Sequence, residues 1–139
     1  MRRAIGAGCL TMLLAALLVT PAQARVERWD GKVKGGGEVG FQVKFKRGKP
    51  KLVGFIEVTN LPVECTTGPT KVRVSHSALD VRVRKRRFSY PFRGFTAKFK
   101  GRFNKKRKKA TGTISYGPAD PEPSIGCETN GPRDWTARK

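Results

Sequence analysis

Val39-Gly40-Phe41-Gln42-Val43-Lys44-Phe45-Lys46 sets the fold class of this chain. Apolar side chains fall at 39, 41, 43 and 45, with polar or small residues between them. A period of two puts the rings on one face of an extended strand and the cations on the other. Arg47-Gly48-Lys49-Pro50 follows as a turn, and Leu52 to Thr59, rich in Val, Ile and Phe, returns as a second strand. Asn60-Leu61-Pro62 reads as its break.

The same alternation recurs downstream. Lys71 to Ser75 forms a short strand with Val72 and Val74 inward, and Leu79, Val81 and Val83 repeat the pattern. Arg84 to Arg87 is a charged turn, Phe88 to Tyr90 a strand, and Pro91 its end or the mark of an edge. Phe95, Ala97, Phe99, Gly101 and Phe103 share one face, opposite Lys98, Lys100 and Arg102. Asn104 to Lys109 is a turn of almost pure positive charge. Ala110, Gly112, Ile114 and Tyr116 return, a Pro-rich loop covers Gly117 to Gly126, and Trp135 to Arg138 closes the chain as a strand. No segment keeps helical periodicity over three turns. The expectation is an all-β domain of about eight to ten short, mostly antiparallel strands, either a β-sandwich or a flattened barrel.

The chain has 139 residues, and its first 24 are of another kind. Arg2 and Arg3 precede the apolar run Leu10 to Val19, and Ala22-Gln23-Ala24 offers small residues at −3 and −1. That order is expected of a cleavable signal-peptide helix, removed after Ala24. Residues 25–139 then form one exported domain, secreted or held at the cell envelope. The run is shorter than the roughly 20 residues of a permanent span, and no other stretch of the mature chain suits a membrane. Removing Arg2 and Arg3 lowers the formal charge from +20 to +18.

Cleavage also removes Cys9, leaving Cys65 and Cys127 in an oxidising compartment. The expectation is one disulfide. It closes a long loop, worth about 4 kcal/mol in the chain-entropy model. A zinc site would need further N or S ligands, and only His76 is at hand. No cofactor or metal is expected; Asp120, Glu122 and Glu128 match no calcium-loop spacing.

Three basic clusters carry the functional expectation. Lys44, Lys46, Arg47, Lys49 and Lys51 lie on one hairpin. Arg82, Arg84, Lys85, Arg86 and Arg87 lie on a second, and Lys105, Lys106, Arg107, Lys108 and Lys109 on a third. With Lys98, Lys100 and Arg102 they point to an anionic polymer as partner: a wall polymer, an acidic polysaccharide or lipid headgroups. Counterion release would supply salt-sensitive affinity. The competing explanation is that Lys on turns and edges blocks aggregation. Nucleic acid is disfavoured as the evolved ligand, because the phenylalanines sit opposite the cations rather than among them.

Two alternatives remain. Trp29 and Trp135 could form a sugar-stacking platform, although core packing is the preferred reading. His76, with Ser77 and Asp80 nearby, could seed a small hydrolase, but no nucleophile elbow, zinc helix or phosphate loop is present. A non-catalytic binding domain is expected.

The layout from Trp29 to Lys139 also resembles small exported actinobacterial β-domains without an assigned function. The resemblance rests on Asp30-Gly31-Lys32-Val33, Phe41-Gln42-Val43 with Gly48-Lys49, and the Cys65 to Gly68 turn. It continues through Ala110-Thr111-Gly112-Thr113-Ile114 and Cys127 to Gly131, ending in Trp135-Thr136-Ala137-Arg138. It implies a secreted, disulfide-linked sandwich and transfers no catalytic residues.

Overall fold

The computed structural model describes residues 23–92, 97–117 and 126–139. Its strands are β1 Arg25–Val33, β2 Glu38–Lys46, β3 Lys49–Cys65, β4 Gly68–His76, β5 Val81–Arg82, β6 Arg87–Pro91, β7 Lys98–Phe103, β8 Lys109–Ser115, β9 Cys127–Glu128 and β10 Arg133–Arg138. They form one antiparallel sheet in the order β4-β3-β2-β1-β10-β8-β7-β6. Nearly every strand therefore lies beside its neighbour in sequence, and the first strand pairs with the last. The signal-peptide helix expected within residues 1–24 falls almost wholly outside the described residues.

The sheet curls until its edges approach. β5 pairs with Leu52 and Val53 of β3, on from where β4 has ended. A two-residue turn then carries the chain to β6, the opposite edge of the sheet. Arg84 N–H donates to the Arg87 carbonyl at 2.9 Å, and Arg87 N–H to the Arg84 carbonyl at 2.8 Å. Farther along the seam, His76 stacks on Tyr90 with ring centroids 4.0 Å apart. The all-β, antiparallel expectation holds, in the form of a curled sheet whose halves face each other across one core.

Aromatic rings dominate that core. Trp29, Phe41, Phe88, Phe99, Phe103 and Trp135 come from five different strands and are all buried. Phe99 stacks on Trp135 at 4.7 Å, Trp29 meets Phe103 edge-on at 5.2 Å, and Phe41 meets Trp135 edge-on at 5.6 Å. These are favoured ring geometries, and truncating one such ring to Ala typically costs about 3–5 kcal/mol. Gly101 and Gly112, paired across β7 and β8, let the rings reach the backbone. A Cβ at Gly101 would fall 2.8 Å from Trp135 Cζ2, and one at Gly112 2.6 Å from the same atom.

Two local expectations need correction, and two strand features were not anticipated. Asn60-Leu61-Pro62 does not break β3, which continues to Cys65 through a register shift between Val58 and Leu61. Asn60 takes a positive φ of 52° there. Pro62 is tolerated because β2 has already ended, its last pair being Glu38 with Thr59, so one side of β3 carries no ladder for a proline to interrupt. Leu79 lies outside any strand, and only Val81–Arg82 of its segment pairs. β1 begins at Arg25, ahead of the Asp30-Gly31-Lys32-Val33 segment that carries the resemblance, and Cys127–Glu128 forms a short unforeseen strand on the end of β3. Phe95 and most of the Pro-rich loop, with Asp120 and Glu122, lie outside the described residues.

Candidate functional site

An up-and-down chain reverses at every strand, so alternate turns collect at the same end of the sheet. The β2–β3, β5–β6 and β7–β8 turns are such alternates, and they hold the three basic clusters. Hydrogen bonds join them. Arg107 Nη1 donates to the Gly48 carbonyl, joining the third tip to the first. Phe103 N–H donates to the Arg86 carbonyl at 2.9 Å, joining the third to the second. Clusters far apart in sequence thus form one basic pole.

Local chemistry shapes each tip. Lys46 pairs with Lys49, leaving Arg47 and Gly48 as a two-residue loop with φ of 51° and 66°. Lys85 and Arg86 form the second such loop, with φ of 47° and 67°. The third tip is fixed by Asn104. Its backbone carbonyl accepts from Arg107 N–H at 3.0 Å, and its side-chain oxygen accepts from Lys108 N–H at 2.9 Å and Lys109 N–H at 3.3 Å. Most cationic side chains at the tips stand in solvent; Arg86, Arg107 and Lys109 are half-buried. Both described chain ends join this pole. Arg25 pairs with Phe45, and Arg138 with Lys109. Half-buried Glu27 sits among these cations, bridging to Arg25 and, at 3.4 Å, to Lys139.

From the pole, a groove of about 500 Å³ runs onto the outer face of β6, β7 and β8. Two rows of outward side chains cross these strands in register: Arg87, Arg102 and Thr111, then Ser89, Lys100 and Thr113. Between them the backbone of Phe88, Gly101 and Gly112 forms the floor, and Arg82 and Arg84 of the second hairpin flank it. No described ion pair engages any of these five cations.

The outer face of β1, β2 and β3 differs. Its groove mixes Arg28 and Lys32 with Asp30, Glu38 and Glu57. Arg28 is bonded to Asp30 at 2.9 Å, and Arg73 of neighbouring β4 to Glu57 at 2.7 Å. Charge there is largely cancelled within the fold.

The basic residues singled out from sequence do not all converge. Lys46, Arg47 and Lys49, Arg84 to Arg87, and Lys105 to Lys109 make the pole; Arg82, Lys100 and Arg102 line the groove with Arg84 and Arg87. Lys44 lies on β2, paired with Val26 and Leu52, one residue in from the Arg25–Phe45 pair and away from the β6–β8 groove. Lys98 pairs with Pro91 and Ser115 at the far end of β7. Arg25, Arg138 and the hydroxyls Ser89, Thr111 and Thr113 escaped the sequence reading. The signal that finds them is register, which sends every second residue of a paired strand outward.

Cys65 and Cys127 face each other in the β3–β9 pairing and are joined by a disulfide at the opposite pole. Thr66 N–H donates to the Gly126 carbonyl at 3.1 Å beside them. Buried Thr129 organises the same end: its hydroxyl accepts from Tyr116 N–H at 3.1 Å and donates to the Gly131 carbonyl at 2.8 Å. Burial pushes the Tyr116 phenol above its ordinary 10.0.

Trp29 and Trp135, at 0% and 1% exposure, belong to the core and present no indole to a sugar. His76 is bonded to Asp80 at 2.6 Å and covered by Tyr90; it lines neither groove. Among the described residues no group of three or more His, Cys, Asp and Glu side chains could hold a metal ion, and no helix is long and apolar enough to cross a membrane. Comparison with known proteins found no matching family model, no matching curated protein and no matching solved structure.

Proposed function

We propose that the domain is an exported, non-catalytic binding module that meets anionic envelope or extracellular polymers through its basic pole. The observation that carries this reading is the convergence of three hairpin tips, held by Arg107 on Gly48 and Phe103 on Arg86. Cations scattered over a surface for solubility would not gather at one end. Their gathering raises the local potential and draws a polyanion in.

Backbone conformation supports the same reading. In two-residue hairpin loops with positive φ at both positions, Asn-Gly is favoured. The second tip instead places Lys85 and Arg86 in that left-handed region, where an ordinary side chain costs about 1–2 kcal/mol. Holding two cations there against local preference fits a role for their charge.

The test is binding to three immobilised polymers, a sulfated polysaccharide, a polyglycerol phosphate and random duplex DNA, across a salt series. The parent should bind at least one of them with a steep salt slope. Changing Lys105, Lys106, Lys108 and Lys109 to Gln should not lower the thermal midpoint. The slope should flatten by roughly one unit for each anionic group that the tip no longer neutralises. Absence of salt-sensitive binding by the parent to all three would sink the reading.

A further inference from the structure

We infer that the groove over β6, β7 and β8 is a glycan site. It would take a carboxylate- or sulfate-bearing sugar segment of a polymer whose remaining length lies on the basic pole. The inference rests on the polyanion reading above and adds a place and a ligand chemistry to it.

The groove is open to solvent, with about 500 Å³ of space above its floor. Its two outward rows stand about 7 Å apart along the strands and span about 10 Å from β6 to β8. Each row contains both a cation and a hydroxyl: Arg87–Arg102–Thr111, and Ser89–Lys100–Thr113. Arginine forks suit planar carboxylates and sulfates, which they can bind bidentately. Serine and threonine hydroxyls both donate and accept, as sugar hydroxyls require of a partner. A ligand carrying anionic groups alone can accept from the cations and from these hydroxyls, but it offers the hydroxyls no donor in return. An acidic sugar offers both acceptor and donor.

The other polyanions fit less well. Single-stranded nucleic acid needs exposed rings on which its bases can stack. Phe88 is buried beneath the floor, and among the described residues no other aromatic side chain lines the groove. A bilayer would call for exposed apolar side chains, and the large exposed ones among the described residues, Val26 and Phe55, lie on β1 and β3. The groove's five cations have no described acidic partner, so an incoming anion displaces no internal salt bridge. On the β1–β3 face it would have to compete with Asp30 and Glu57.

A charge-neutral variant separates this site from the general field of the pole. Thr111→Val with Thr113→Val removes two hydroxyls from outward strand positions and keeps good β-formers there. The probes are a heparin hexasaccharide, a polyglycerol-phosphate oligomer and oligo-dT, all of matched charge, with melting curves to verify folding. The variant should bind the hexasaccharide about fivefold or more weakly, as loss of one or two hydrogen bonds implies. Its affinity for the other two probes and its salt slope should be unchanged. Lys100→Gln with Arg102→Gln should instead flatten the slope by about two units for any probe that occupies the groove. Equal weakening towards all three probes, or no weakening towards the hexasaccharide, overturns the glycan site. If the parent binds a polyanion and the Thr variants stay silent, only this inference fails. If the parent binds none, the polyanion reading fails with it.

Discussion

The two poles of this molecule are built on opposite principles. One is closed covalently by Cys65–Cys127 and knitted by the hydrogen bonds of Thr129. The other is closed by tight turns whose mostly exposed cations repel one another. Covalent and hydrogen-bonded links mark the first, and charge that weakens the fold is gathered at the second. Residues 25–139, at formal +18, need this division, because self-repulsion strains the compact state. The disulfide holds together the end that the three basic clusters do not occupy.

The largest effect should come from the disulfide. Replacing Cys65 and Cys127 by Ser should lower unfolding free energy by about 4 kcal/mol, read by urea denaturation, while polyanion affinity of the folded fraction stays at the parent value. A matching fall in intrinsic affinity would show that the poles are coupled. Next, Asn104→Ala should cost about 1–2 kcal/mol, because two backbone N–H groups lose their acceptor. Unlike the disulfide variant it should also weaken binding, since the tip loses its fixed shape. Lys85→Asn with Arg86→Gly sharpens the contrast by reversing the sign. That loop should gain about 1 kcal/mol as the left-handed positions receive residues suited to them, while affinity falls. Stability and affinity both rising would mean that the second tip plays no part in binding. The smallest effect is expected from Arg28→Gln with Asp30→Asn on the balanced face: within about 0.5 kcal/mol of parent stability, with no change in polymer binding.

How much of this was legible in the sequence follows from how each face is used. β2 and β7 were plain, because their inward positions are filled by Val, Phe or Gly and their outward ones largely by Lys and Arg. The start of β1 was obscured. Its inward positions are Glu27, Trp29, Gly31 and Val33, and a half-buried carboxylate and a glycine hide the alternation. β3 ran past its apparent break because a proline signal is local, whereas the end of the neighbouring β2 ladder that licenses Pro62 is not. The disulfide followed from having two cysteines in the expected mature chain. The basic clusters were evident as clusters, but not as one pole. Their meeting depends on strand parity, and it was open to anyone counting turns: the charges fall at every second reversal. The groove was least visible, since no contiguous segment contains it and its hydroxyls gain meaning only across three strands.

The pairing of β1 with β10 has a consequence for orientation. Arg25 and Arg138 lie at the charged end, while the Gly35-Gly36-Gly37 turn between β1 and β2 lies at the other. Such a charge distribution behaves as a dipole. Within the roughly 8–10 Å reach of unscreened charge, an anionic surface turns the molecule end-on before contact. A reporter fused after Lys139 would then be pressed against the polymer, and one inserted at Gly36 would be displayed outward. The distance of each reporter from the surface is therefore fixed by the parity of the strands that separate it from the tips.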